Sequence, residues 1–570
     1  MNTPSILVLS ILVSIQKMDA LQLLPGDVRK IRNDDAHEVV GDAYIAVSRE
    51  SMRTSPAYRY SSIGFTTVQV NVDSVGMNIV GDAANEPSIA VDPTNPDRLA
   101  MGWRQFDTIL SDFRQAGYGY SRDNGRKWTF PGVLDPGVFR SDPVLGSDTE
   151  GNFFYYSLTI DANYFCTLYK DSAGGSSWDG GTYAYGGDKA WMSVDRTGGV
   201  GRDQVYFAWD YAGCCGDDWF TRSTNGGQSF DSPVPVPEEP IWGVTTVGPD
   251  GALYVAGRRS ITNEQFVVAK ASAIQDSTAP LVFDFSTQVD LGGAHQFAIG
   301  FGPNPGGLQG QVWIALDHSA GPTAGYVYML CSVDPPGSDP LDVHFVRSTD
   351  EGVSWSSPLR LNDDAGTSAW QWFGTMSVSP DGRIDVVWLD TRDDDPGFLS
   401  ALFYTYSIDG GITWSVNEKL SESFDPHLGW PNQNKLGDYF DMVSETEGAH
   451  LAWAGTFNGE QDVYYGWIDS RVTDVAMDQP LIPAEPFLAQ NYPNPFNGTS
   501  RIEYHLPFAA RTSLRIYDML GREVATLVNG WKNAGVHAAI WEAGEISGGV
   551  YLYRLQTNNS VISRKLVLLK

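Results

Sequence analysis

The chain has 570 residues, 60 of them Gly, with 12% aromatic residues and a formal net charge of −31. So large an acidic excess excludes nucleic acid and anionic membrane surfaces as partners, because both need a basic footprint. The abundance of turn-forming residues and the scarcity of helical periodicity predict an all-β protein, and the length allows several average domains or one large repeat domain with an accessory one.

The apolar run from Ile6 to Ile15 is too short to span a bilayer but has the length of a signal-peptide core. Residues 1–20 are therefore expected to be a signal peptide, although a basic n-region is lacking and Met18-Asp19-Ala20 is a poor cleavage site. No other stretch has the length and apolarity of a transmembrane segment. Residues 21–65 mix charge, Ser and Arg without periodicity and read as a leader or a poorly ordered arm.

From Phe65 onward, short β-type runs alternate with turn signals. One turn recurs as Ser-x-Asp-x-Gly-x-x-Trp. It stands at Ser121, Asp123, Gly125 and Trp128, at Ser348, Asp350, Gly352 and Trp355, and at Ser407, Asp409, Gly411 and Trp414. A variant has Ser223, Asn225, Gly227 and Phe230, and a degraded copy keeps Gly175 and Trp178 after Asp171. Each reads as a hairpin turn. The Ser and Asp side chains bond backbone N–H groups, the Gly accepts positive φ, and the aromatic ring is laid back between sheets.

A second repeat is a pair of strands around a tight turn, as in Pro87–Asp92 followed by Arg98–Trp103. Further copies begin near Asp142, Lys189, Trp242, Gln296, Phe373 and Asp438, with second strands such as Val205–Trp209, Val312–Leu316 and Ile384–Trp388. Spacings of roughly 50 to 75 residues are those of four-stranded propeller blades. Seven units favour seven blades over residues 66–470, with six as the alternative. The run Thr66–Val72 is placed as the missing outer strand of the last unit, which would close the ring and remove its edge.

The Ser-x-Asp-x-Gly-x-x-Trp turn is the Asp box, and the chain here resembles the sialidase-like Asp-box (BNR-repeat) β-propellers. The resemblance implies that the boxes are structural and lie on the face opposite the binding site, and that the ring has six blades in the sialidases themselves. Residues 471–489 read as a Pro-containing linker. From Gln490-Asn-Tyr-Pro-Asn-Pro-Phe-Asn497 to Ser563-Arg-Lys-Leu-Val-Leu-Leu-Lys570 the chain is similar to the type A C-terminal sorting domain of the type IX secretion system. That resemblance implies an immunoglobulin-like sandwich over 490–570, the secretion machinery as its partner, and a secreted or outer cell-surface protein. The residues alone give a small β-sandwich.

The candidate site follows from the blades. The position before each first strand gives Glu86, Asp142, Lys189, Trp242, Gln296, Phe373 and Asp438 around a central channel. Glu86, Asp142 and Asp438 are the candidate catalytic residues, since two acids flanking a sugar could act as general acid and base. The simpler reading is that channel polar groups bind water and backbone. Loops on the same rim carry Arg104, Asp210, Arg258, Asp317, His318, Asp390 and Arg392, with Tyr211, Trp219, Trp370, Trp372 and Trp430. Arg104, Lys189, Trp242, Gln296, Trp372, Asp390 and Arg392 are the candidate ligand-binding set, because aromatic faces stack on sugars and guanidinium groups clamp carboxylates.

Sialidases carry their first substrate-binding Arg in an Arg-Ile-Pro motif. The matching strand here reads Glu86-Pro-Ser-Ile89, and Arg-Ile-Pro occurs nowhere. No cofactor is required by any motif, though the acidic run Asp390–Pro396 with Asp363 and Asp364 could take Ca2+. Four cysteines allow three complete pairings, with Cys166 to Cys214 or Cys215 expected. Phosphate-loop, zinc-protease and Ser-elbow motifs are absent from the sequence. Glycan or protein binding on the rim is the favoured function, and glycoside hydrolysis, sialidase-like or of the Asp-box glucanase type, is the alternative.

Overall fold

The computed structural model describes residues 41–161, 163–394, 397–470, 487–491, 493–506, 510–532, 535–544, 546–557 and 560–569. The expected signal peptide and most of the linker lie outside the described residues. Among the described residues the elements are strands and one 3-10 turn, Arg49–Ser51.

Seven antiparallel sheets fill the chain from Arg59 to Asp469. Sheet one contains Ala83–Val91, Leu99–Phe106, Gln115–Ser121 and Thr129–Leu134, each strand paired with the next. Sheets two, three and six begin with Ser141–Ser147, Trp191–Val194 and Gln371–Val378. In sheets four and five the first strand is in two pieces, Pro240–Ile241 with Thr245–Val247 and Ala294–His295 with Trp313–Leu316; the first strand of sheet seven is Asp441–Glu445. These first strands are neighbours in sequence order, and Asp441–Glu445 returns to lie beside Ala83–Val91. The outer strand of sheet seven comes from the other end of the chain: Phe65–Gln69 pairs with Asp462–Asp469. Arg59–Ser62 extends that sheet and Arg53–Pro56 pairs with Met77–Val80, so the expected arm is strand at its C-terminal end.

The box turns explain how the sheets stack. Ser407 Oγ accepts the Gly411 N–H at 2.9 Å and donates to Asp409 Oδ1 at 2.9 Å, and Asp409 Oδ1 accepts the Thr413 N–H at 2.9 Å. The same Ser-to-Gly bond recurs at Gly125, Gly227 and Gly352. In the degraded copy Asp171 replaces the Ser, taking the Ala173 and Gly175 N–H groups on Oδ1. Each turn packs on the preceding sheet: Gly125 on Tyr465, Gly175 on Tyr120, Gly227 on Leu168, Gly352 on Tyr254 and Gly411 on Phe345. At Gly411 φ is +77° and a Cβ would fall 2.5 Å from the Phe345 ring, so only Gly fits.

Two expectations are corrected here. In sheet five, Trp313–Leu316 pairs with Val327–Asp334, which pairs in turn with Asp342–Ser348. Val312–Leu316 is thus part of a first strand and not a second one: the innermost strand is in two pieces, Ala294–His295 and Trp313–Leu316, both paired with Val327–Asp334, and Gln296 directly follows the first piece. Asp317 and His318 therefore follow a first strand and sit on the box side. The cysteine pairing also differs: Cys214 and Cys215 are bonded to each other, while Cys166 and Cys331 are free and buried.

The C-terminal residues form two further sheets. One holds Phe487–Leu488, Thr499–Leu506 and Gly535–Glu542, the other Glu523–Lys532, Ala510–Tyr517, Gly549–Gln556 and Val561–Leu568. They enclose their own core, which includes Leu488, Ile502, Leu514, Tyr553 and Leu566. The Asn-rich opening motif clasps this core. Asn491 N donates to the Tyr553 hydroxyl at 2.9 Å, and Asn494 Oδ1 accepts the Val567 N–H at 2.8 Å.

Candidate functional site

First and third strands of a sheet run parallel, so a first strand starts at the end opposite the box turn. Five of the aligned positions there, Glu86, Asp142, Lys189, Trp242 and Phe373, have φ between 46° and 58°. Non-glycine residues rarely adopt this backbone, and it persists where surrounding contacts enforce it. Bulges in sheets one, two and six mark the same place. Here the Lys189 N–H reaches Asp142 Oδ2 at 2.8 Å and the Phe373 N–H reaches Gln309 O at 2.7 Å. These bonds link each first strand to its neighbour.

The side chains converge on one charged cluster. Lys189 Nζ lies 2.5 Å from Asp438 Oδ2 and 3.7 Å from both Asp142 Oδ1 and Asp188 Oδ1. Lys435 Nζ bridges Asp438 Oδ2 at 2.7 Å and Glu86 Oε1 at 3.5 Å, while Arg104 Nε approaches Glu86 Oε2 at 3.1 Å. Four carboxylates thus face three cations. Glu86, Arg104, Asp142, Asp188, Lys189 and Asp438 are all at most 3% exposed. Burial pushes the Glu86 carboxyl above its ordinary range, Arg104 opposes the shift, and Asp438 adds to it. Such a cluster must be paired throughout, because an uncompensated buried charge is strongly destabilising.

Two long connections account for the burial. Residues 290–312 and 420–440 interlock over the cluster: Leu308 N donates to Asp438 Oδ1 at 2.8 Å, Asn304 Nδ2 to Gly437 O at 2.9 Å, and Gly306 N to Asn434 O at 3.0 Å. Arg104 Nη2 also reaches Gln433 Oε1 at 3.2 Å. Sequence reasoning missed Lys435 and Asn304, which lie in connections without periodicity. The only signal for Lys435 was its place three residues before Asp438.

The other candidate residues are dispersed. Trp372 is fully buried, donates to Ser400 Oγ at 3.1 Å and packs on Phe373, so it is core. Trp242 is buried beneath Arg258 and donates to Asp210 Oδ2 at 3.0 Å. Gln296 directly follows the innermost strand piece Ala294–His295, and its amide donates to Asp334 Oδ2 at 2.6 Å. Arg392 is held by Asp390 at 2.8 Å and Asp363 at 2.6 Å, and Arg360 takes Asp364 and Asp342. Asp363, Asp364 and Asp390, among the acidic residues expected to attract Ca2+, thus lie against guanidinium groups, while Asp395 and Pro396 of that run lie outside the described residues. Among the described residues, no group of three or more His, Cys, Asp or Glu is arranged to hold a metal ion.

Comparisons with solved structures give a protein of unknown function from Dyadobacter fermentans at 12% identity and TM-score 0.40, covering 71% of this chain and 99% of that one. An α-L-arabinofuranosidase of Fusarium graminearum matches at 12% and 0.36, covering 72% and 100%. Trypanosoma rangeli sialidase matches at 11% and 0.35, covering 89% of each chain. TM-scores this low carry no argument about chemistry. Comparison with curated proteins gives no match. Among the described residues no helix is long and apolar enough to cross a membrane. Residues 490–569 match the family described as the secretion system C-terminal sorting domain, and the protein is exported by the type IX route to the outer surface or beyond it.

Proposed function

We propose that residues 59–469 form a seven-bladed β-propeller followed by an immunoglobulin-like sorting domain, and that the exported protein binds glycan through its loop rim. The cyclic order of first strands, the stacking of each box turn on the preceding sheet, and the closure by Phe65–Gln69 support seven blades over six.

One observation carries the choice of binding over hydrolysis. The Lys189 ammonium occupies the space between Asp142, Asp188 and Asp438, all of them buried, which leaves no room for a sugar ring or an attacking water between the carboxylates. A hydrolytic pair must flank the scissile bond, roughly 5 to 10 Å apart with substrate between. The hydrolase reading keeps Glu86, Asp142 and Asp438 as its acids and would require the interlocked connections to open. Incubation with sialosides, arabinan and β-glucans, followed by assay of released sugar, tests this. The expected result is no release. Release that disappears in Glu86→Gln, Asp142→Asn or Asp438→Asn would overturn the binding reading.

A further inference from the structure

The connections that bury the charges present aromatic side chains at their outer ends. Phe301 contacts Trp370 at 5.7 Å between ring centroids, Trp370 contacts Phe398 at 6.4 Å, Phe398 contacts His427 at 5.4 Å, and His427 contacts Trp430 at 5.1 Å. The row crosses from the 290–312 connection to the 420–440 connection. Phe301 is 61% exposed, and Phe398, His427 and Trp430 are half-buried. Two of the rings are held by hydrogen bonds: Trp430 Nε1 donates to Pro426 O at 2.8 Å, and His427 Nε2 lies 3.0 Å from Gly302 O. Trp370 is buried at 6% exposure and anchors the row from below, and side chains already held in place bind at lower ordering cost than mobile ones.

Polar groups stand beside the row. The Asp425 carboxylate is 40% exposed and its Oδ1 accepts the His427 N–H at 3.0 Å. Aromatic faces and edges beside a solvent-facing carboxylate match a sugar, whose C–H face is apolar and whose hydroxyls donate hydrogen bonds. The charge of the whole chain, −31, opposes acidic polymers.

We propose that this row is a subsite for a neutral polysaccharide, with Phe301 and Trp430 as stacking residues and Asp425 as a hydroxyl acceptor. The proposal rests on the glycan-binding reading above and gives it a location outside the central channel. The test is affinity electrophoresis and calorimetry of the full chain with arabinan, laminarin and xyloglucan as neutral probes and polygalacturonate as an acidic one. At least one neutral probe is expected to bind. Phe301→Ala, at an exposed position that leaves the melting temperature unchanged, and Trp430→Ala are each expected to weaken that binding by about tenfold. Equal binding by wild type and both variants overturns the subsite while the glycan-binding reading stands. Binding to no polysaccharide, or to polygalacturonate alone, overturns the subsite as well, and the first of these results also removes the glycan-binding reading.

Discussion

The two faces of the ring solve the same problem, satisfying polar groups where sheets meet, in opposite ways. On the box face each of the three full turns is satisfied within eight residues, by one hydroxyl and one carboxylate bonded to their own backbone. On the other face Glu86, Asp142, Lys189 and the Lys435–Asp438 pair come from separate parts of the chain, and the ion pairs that join them span 47 residues or more. Local satisfaction can be copied from sheet to sheet and dispensed with; sheets four and seven carry no box. Non-local satisfaction exists once, and every member depends on the others.

The strongest way to break this contrast is Lys189→Met. It takes one ammonium away from three buried carboxylates, of which Asp438 keeps Lys435 at 2.7 Å, and should cost about 3–5 kcal/mol in urea unfolding. A loss below about 1 kcal/mol would mean that the cluster is wetter and less interdependent than the geometry implies.

Next in size is an effect of pH at the edge of the channel face. Burial raises the Asp462 carboxyl to about 7, although Asn71 donates to it at 2.8 Å, and neighbouring Glu460 adds to the shift. A carboxyl that holds its proton better folded than unfolded stabilises the fold at low pH, and that stability is lost as pH rises through about 7. The stability of the wild type relative to Asp462→Asn should therefore rise by about 2 kcal/mol between pH 8 and pH 5, as read from melting temperatures; an equal pH dependence in both would show that Asp462 does not hold its proton in the fold.

Smaller effects sharpen the box side. Ser121→Ala, Ser348→Ala and Ser407→Ala should each cost about 1 kcal/mol and add when combined, because the turns are separate and self-contained. Finer still, Trp128 Nε1 donates to Gly125 O at 3.0 Å, whereas Trp414 Nε1 is buried without a partner. Trp128→Phe should thus be worse than Trp414→Phe by about 1 kcal/mol or less in the same assay.

The same contrast governs what could be read in advance. The boxes were legible because their hydrogen bonds are local, so spacing alone identifies them. The outer strand supplied by residues 66–72 was legible because a sheet edge otherwise remains open, and Phe65–Gln69 fills it. The register of sheet five was only partly legible, because its innermost strand is split into Ala294–His295 and Trp313–Leu316, and the second piece reads in sequence as a strand of its own. Glu86, Asp142, Lys189 and Asp438 were located by blade alignment, yet their mutual neutralisation depends on Lys435 and on distances that no spacing encodes. Cys214 and Cys215 were expected to reach Cys166, and the bond between adjacent residues was not foreseen, since pairing is decided by three-dimensional approach.

The closure between Phe65–Gln69 and Asp462–Asp469 also has a kinetic side. The two partners are separated by nearly the whole repeat region, so the ring cannot complete until its last sheet is available, and such long-range pairing is intrinsically slow. During that delay the unpaired edges of sheet seven are open to other chains. Chains shortened before residue 462 should therefore persist as aggregation-prone, protease-sensitive intermediates. The sorting domain follows the closing strand in sequence, so a chain that carries its export address has already synthesised everything the ring needs to shut.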